Sequence, residues 1–312
     1  MVDDISRFAR KYIVLASKSA RGVCNIPKND YICSMSFARK YLNPKNDAAF
    51  KRIFGTEKNK DILITMLNAV LKTQLHKPIA QIEFLSPIQE PDIAGSKESI
   101  VDVFCKDKDG CKYIIEMQIS HTEGFEARAQ YYASKAFISQ AKEGDMYEGL
   151  KEVIFIAFCD FNIFAKKQHY KSIHTILDNK TNERNLDKLS FTFIDLVKFA
   201  QQCSKNIKYL TLEEKFYYFL CHAKDIQEED LATLIANKTI KKAFVELERF
   251  NWSESEYAYY EAVKKKTWDY ISSLASSKDS GRKEEKAKIV KLLLASGMPQ
   301  SRSGRSPQGI PT

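Results

Sequence analysis

The sequence predicts a three-layer α/β fold, and three observations carry that prediction. Apolar residues recur at helical spacing on either side of a group of short β-like runs. One continuous apolar run, "EVIFIAF", has the length of a central strand covered on both faces. The segments follow the order helix, three strands, helix, strand.

In chain order, the first 34 residues are basic and weakly patterned, and they read as a flexible leader ending near Met35. From Asn46 to about Lys72, Phe50, Ile53, Phe54, Ile62, Ile64, Leu67 and Leu71 fit a helix interrupted around Gly55. The stretch "QIEFLSPI" reads as a strand ended by Pro87, followed by the polar loop "QEPDIAGSKE". A hairpin is expected over 99–120. A helix is expected over 124–143, with Ala127, Tyr131, Ala133 or Ser134, and Ile138 along its buried face. After the central run, "HYKSIHTIL" and "LSFTFIDLVKF" read as two more strands separated by the turn-rich "DNKTNERNLDK".

The pattern from about Thr211 to Ser273 is helical. The organisation is therefore a leader (1–34), an α/β domain (35–210), a helical region (211–277) and a basic tail (278–312). In that tail "EEKAKIVKLLLASGMPQ" looks like a first helix and turn, and "SRSGRSPQGIPT" then breaks off with Pro, Gly and Ser.

Composition narrows the function classes. The net charge of +9 invites a nucleic-acid reading, but residues 1–40 and 278–312 each hold eight Lys/Arg against three acids. Those ends supply +10, leaving −1 for residues 41–277, so the charge of the body says nothing about DNA. Seven cysteines without CxxC spacing read as reduced thiols, and no run approaches the length of a membrane span. Both features suit a soluble cytoplasmic protein.

The hairpin "SIVDVFCKDKDGCKYIIEMQIS" sets Asp102, Glu116 and Gln118 into apolar sequence. Alternation puts Ile100, Asp102 and Phe104 on one face of the first strand, and Ile114, Glu116 and Gln118 on one face of the second. A three-residue loop Lys108, Asp109, Gly110, with Gly110 left-handed, pairs Asp107 with Cys111 and places Asp102 opposite Glu116. A two-residue Asp-Gly loop pairs Asp102 with Met117 instead and separates the acids.

In the first register two carboxylates face each other at roughly 5 Å between β-carbons, a repulsion that an oxygen-seeking Mg²⁺ or Mn²⁺ would relieve. Acids on the solvent face of an edge strand are the plainer reading of the same residues.

Taken together, the motifs resemble the PD-(D/E)XK nuclease family transposases, relatives of the recombination-promoting nucleases, over roughly residues 39 to 275. "YLNPKNDAAFKRIFG" is similar to the opening signature of that family, "SIVDVFCKDKDG" to its strand with the catalytic Asp, and "YIIEMQIS" to its E-x-Q strand. "EARAQYYASKAF" and "KLSFTFIDLVKF" are similar to its following helix and a later strand. The resemblance implies a restriction-endonuclease-like core, αβββαβ with a mixed sheet, carrying a helical C-terminal region. It implies a magnesium-dependent endonuclease acting on DNA, in which Asp102, Glu116 and the backbone carbonyl of Met117 hold the metal and Gln118 completes the catalytic set.

Gln118 stands where the wider superfamily usually has Lys. A glutamine can orient water but supplies no positive charge, so Lys51 and Lys135 are candidate substitutes. Asp47 and Lys51, at i and i+4, form either a local ion pair or part of the site. Arg128 is a candidate phosphate ligand, Tyr131 and Tyr132 are candidates for stacking, and Glu83 is a candidate further ligand.

Three readings of function result: an active DNA endonuclease of mobile elements, a decayed transposase that folds but cleaves poorly, and a non-catalytic nucleic-acid or protein-binding module. The helical region after Glu213 offers either a homodimer surface or ordinary core packing.

Overall fold

Seven consecutive buried residues, Val153–Cys159, form the strand around which the rest is built. In the computed structural model, which describes residues 40–89, 99–141, 144, 146–203 and 206–295, this strand (β6) is central in a six-stranded mixed sheet. It lies between two parallel neighbours, β5 (Lys112–Gln118) and β8 (Leu186–Asp195). Burial on both faces explains why its sequence is apolar at every position rather than at alternate ones.

Antiparallel partners complete the sheet. On one side β4 (Val103–Asp107) pairs with β5 and β1 (Ile82–Phe84) pairs with β4; on the other, β7 (Lys171–Ile176) pairs with β8. Two short strands, β2 (Ile88–Gln89) and β3 (Ser99–Ile100), form a separate ladder, so the chain bends at Asp102 before entering β4. The sequence motifs thus assemble into the expected α/β core with a mixed sheet.

Helices cover both faces. On one side lie α1 (Asp47–Phe54), α2 (Lys60–Val70), α4 (Leu196–Gln202), α5 (Leu212–His222), α6 (Glu228–Leu234), α7 (Lys238–Leu247) and the start of α8 (Glu254–Ala295), packed on Val103, Cys105, Tyr113, Ile115, Ile154, Ile156 and Phe158. The opposite face, carrying Phe104, Ile114, Phe155 and Ala157, is covered by α3 (Phe125–Ile138). Phe50 of α1 is fully buried, a contribution of about 2–3 kcal/mol.

Two expectations need correction. The buried stripe of α3 is Phe125, Ala129, Ala133 and Ala136, whereas Ala127, Tyr131 and Ile138 are exposed. Alanines carry little hydrophobic signal, yet they let the helix lie close against the sheet. The run "LSFTFIDLVKF" is a strand only as far as Asp195, which caps α4 by accepting a hydrogen bond from the Lys198 amide at 2.9 Å. Helix α8 runs on through the helix expected in the tail to Ala295. The expected leader and the turn and Pro/Gly-rich end after Ala295 lie outside the described residues.

Helix α8 is 42 residues long, about 63 Å at 1.5 Å per residue. Its first turns are fixed to α1. Buried Tyr260 accepts from the Asn43 amide at 3.1 Å through its hydroxyl, and Arg52 bonds both Glu246 and Glu256 while lying over the Trp252 ring. No described helix is long and apolar enough to cross a membrane.

Candidate active site

Gly110 decides which hairpin register forms. It has φ +87°, in the left-handed region that glycine enters without a steric penalty, and its amide donates to the Asp107 carbonyl at 3.1 Å. The Asp107 amide bonds the Cys111 carbonyl at 3.0 Å, closing the three-residue loop Lys108, Asp109, Gly110. The Asp107 carboxylate accepts from the amides of Asp109 and Cys111, pinning the turn. The ladder then runs through Cys105 opposite Tyr113 to Val103 opposite Ile115, and one more step sets Asp102 opposite Glu116.

At that step the ladder stops and side chains take over. The Met117 amide donates to Asp102 Oδ2 at 2.8 Å, and the Asp102 amide donates to Glu116 Oε1 at 3.2 Å. Each acid is thus tied to the other strand's backbone. The Val101 amide, which a continued ladder would aim at Met117, bonds the Pro87 carbonyl at 3.0 Å instead. Met117 lines the adjoining cleft beside Asp102.

Both acids resist ionisation here. Burial raises the Asp102 carboxyl above its ordinary range; the Met117 amide opposes this, and the nearby Asp47 charge adds to the rise. Glu116, buried in the sheet, is raised by burial and then by the Asp102 charge, with Arg128 and its hydrogen bonds opposing only in part.

Two cations approach the pair. Lys51 Nζ lies 2.7 Å from Asp47 Oδ1 and 3.6 Å from Asp102 Oδ1, so the local helix pair and the contact with the hairpin coexist. Burial pulls the Lys51 amine down, but Asp47 and Asp102 together outweigh it and leave it raised. Arg128 reaches the other acid indirectly: its Nη2 donates to Gln118 Oε1 at 2.8 Å, and Gln118 Nε2 donates to Glu116 Oε2 at 2.8 Å. Gln118 therefore links a guanidinium to the buried acid, and both ends of its amide are occupied.

The structure gathers Asp47, Lys51, Asp102, Glu116, Met117, Gln118 and Arg128 at one end of β4 and β5. Tyr132 is close enough for the Arg128, Glu116 and Asp102 charges to act on its hydroxyl, which burial pushes upward, while Tyr131 is exposed on the next helix position. Lys135 is not brought to the acids; it donates to the Gln89 carbonyl. Glu83 pairs across the ladder with Lys106, at 3.1 Å, two pleats from Asp102.

The donor set suits a hard divalent cation. Two carboxylates beside the Met117 main chain offer oxygen donors, and a cation between the acids would offset the burial that keeps both raised. Among the described residues, no group of three or more His, Cys, Asp or Glu side chains forms a metal cage, so any ion here relies on water and substrate for its remaining ligands.

Sequence reasoning missed the far wall of the site. A cleft of about 560 Å³ opens beside Asp47, Asp102, Met117 and Gln118, and its other side is α8, with Tyr259, Lys266 and Tyr270. These residues stand about 150 positions from the hairpin. The 259, 263, 266, 270 spacing was a helical stripe readable in the sequence, but nothing in it named the surface it faces.

The sequence model of the family described as PD-(D/E)XK nuclease family transposase matches residues 44–277. No curated protein and no solved structure matches the chain.

Proposed function

The chain belongs to the PD-(D/E)XK nuclease family transposases, and on that premise we propose that it is a metal-dependent endonuclease that hydrolyses phosphodiester bonds in DNA. The observation that carries this reading is the crossed pair of hydrogen bonds holding Asp102 and Glu116 opposite each other beside an open cleft. A module that only binds DNA or protein gains nothing from two buried acids kept in mutual repulsion, so their retention favours catalysis over the binding-module reading.

Asp102, Glu116 and the Met117 carbonyl would hold Mg²⁺ or Mn²⁺. Such an ion lowers the pKa of bound water and neutralises charge developing on the scissile phosphate. The chain's own residues do the rest. The reciprocal hydrogen bonds fix the two carboxylates before substrate arrives, which removes reorganisation from the reaction. Gln118 fixes the orientation of Glu116 and places the Arg128 charge behind it. Lys51, partly exposed and already between Asp47 and Asp102, supplies the positive charge that Gln118 lacks. Asp47 holds the Lys51 amine charged and in place.

The test is nicking of supercoiled plasmid by the full chain. Cleavage that requires Mg²⁺ or Mn²⁺, stops with chelator and is lost in both Asp102→Asn and Glu116→Gln supports the assignment. A folded wild-type protein that never cleaves with either metal contradicts it.

A further inference from the structure

The wall that α8 sets across from the acids is chemically specific. Tyr259, Ala262, Val263, Lys266 and Tyr270 fall on one narrow helical stripe, and all five line the cleft. Tyr259 and Tyr270 are 57% and 45% exposed, so their ring faces are available, although the helix could have turned them into its own packing. Lys266 is exposed and has no ion-pair partner among the described residues. Across from α8, Thr122 lines the same cleft.

Aromatic faces alternating with a free cation are the arrangement that binds an unpaired nucleic-acid strand, where bases stack and phosphates meet positive charge and hydroxyl donors. Size points the same way. About 560 Å³ lies within the range of cavities that enclose a small molecule, enough for a nucleotide or so of one strand. Resting on the nuclease reading of the same site, we propose that this cleft binds single-stranded DNA. Bases stack on Tyr259 and Tyr270, and the backbone runs past Lys266 and Thr122 towards Asp102. The substrate class that follows is an unpaired strand or a locally opened end rather than intact duplex.

The experiment is fluorescence anisotropy of the full chain with a labelled oligo-dT strand and with a duplex of matched length, both in chelator at one fixed salt concentration. The strand is expected to bind about tenfold or more tightly than the duplex, and Tyr259→Ala with Tyr270→Ala to weaken it about tenfold or more, the consequence of lost base stacking. Lys266→Ala is expected to lower the salt dependence by about one phosphate contact. These side chains are exposed, and circular dichroism of each variant checks folding. Equal or tighter binding of duplex, or strand binding unchanged in the tyrosine variants, overturns the proposal. Because binding is read without metal, strand binding that needs the tyrosines upholds the proposal even where metal-dependent cleavage is absent. Metal-dependent cleavage with indifferent tyrosines overturns it while leaving the nuclease reading intact.

Discussion

Asp102 and Glu116 are held by each other's strands: the Asp102 amide donates to Glu116 Oε1 at 3.2 Å, and the amide next to Glu116, that of Met117, donates to Asp102 Oδ2 at 2.8 Å. The two acids are thereby fixed side by side in a buried position where both are harder to ionise than in water.

Stability of the metal-free protein should therefore depend on pH through this pair. Both folded-state pKa values are raised, so the folded chain keeps protons that the unfolded chain releases above about pH 4. The stabilising contribution is complete below that pH and is lost as pH rises through the folded values, so the pair costs stability at neutral and higher pH. Asp102→Asn and Glu116→Gln should each flatten this fall. At mildly alkaline pH in chelator each variant should match or exceed wild type, by about 1 kcal/mol. Urea unfolding across pH measures the difference, and added Mg²⁺ should stabilise wild type alone.

Gln118 and Arg128 should behave as one unit. Gln118→Ala removes the link to Glu116 Oε2, and Arg128→Ala leaves the same amide without its cation. Each should lower kcat by about 10–100-fold, the usual cost of losing a group that orients a metal ligand. The double variant should be scarcely worse than either single one, and a double-mutant cycle on the cleavage rate reads that coupling.

Lys51→Ala should separate catalysis from stability. The pair with Asp47 is a half-exposed i,i+4 contact, so its loss should change unfolding free energy by less than about 1 kcal/mol. Cleavage should fall by about tenfold or more, as expected when a positive charge beside the reacting phosphate is removed. Single-turnover cleavage beside urea denaturation checks both halves.

The layers of the fold and one side of the site were legible in the sequence for identifiable reasons. Asp109-Gly110 announced a turn but left two registers open; the three-residue loop that forms carries the alternation five residues to Asp102 and Glu116. The uniformly apolar 153–159 run announced a strand buried on both faces. What stayed hidden depends on contacts distant in sequence or on residues with weak signals. The alanines that seat α3 look neutral on any hydrophobic scale, and the end of β8 is set by the Asp195 cap rather than by a change in hydrophobicity. The Arg128–Gln118–Glu116 link needs α3 and β5 in place, and the α8 wall needs Tyr260 anchored on Asn43, 217 residues away.

The α3 alanines supply a test of that packing. Ala133→Leu adds bulk where the helix lies on Ile114 and Phe155, and it should destabilise by about 1–3 kcal/mol. Ala127→Leu, on the exposed face, should change stability by less than about 0.5 kcal/mol. Equal effects in urea titration would mean that the buried face has been misplaced.

The most direct test of the site is Mn²⁺ binding by calorimetry on the full chain, wild type beside Asp102→Asn and Glu116→Gln. The account predicts a saturable site in wild type, tighter as pH rises and the two acids ionise, and lost or greatly weakened in both variants. Binding that is absent in folded wild type, or that survives unchanged in either variant, would show that these two opposed acids do not form the metal site.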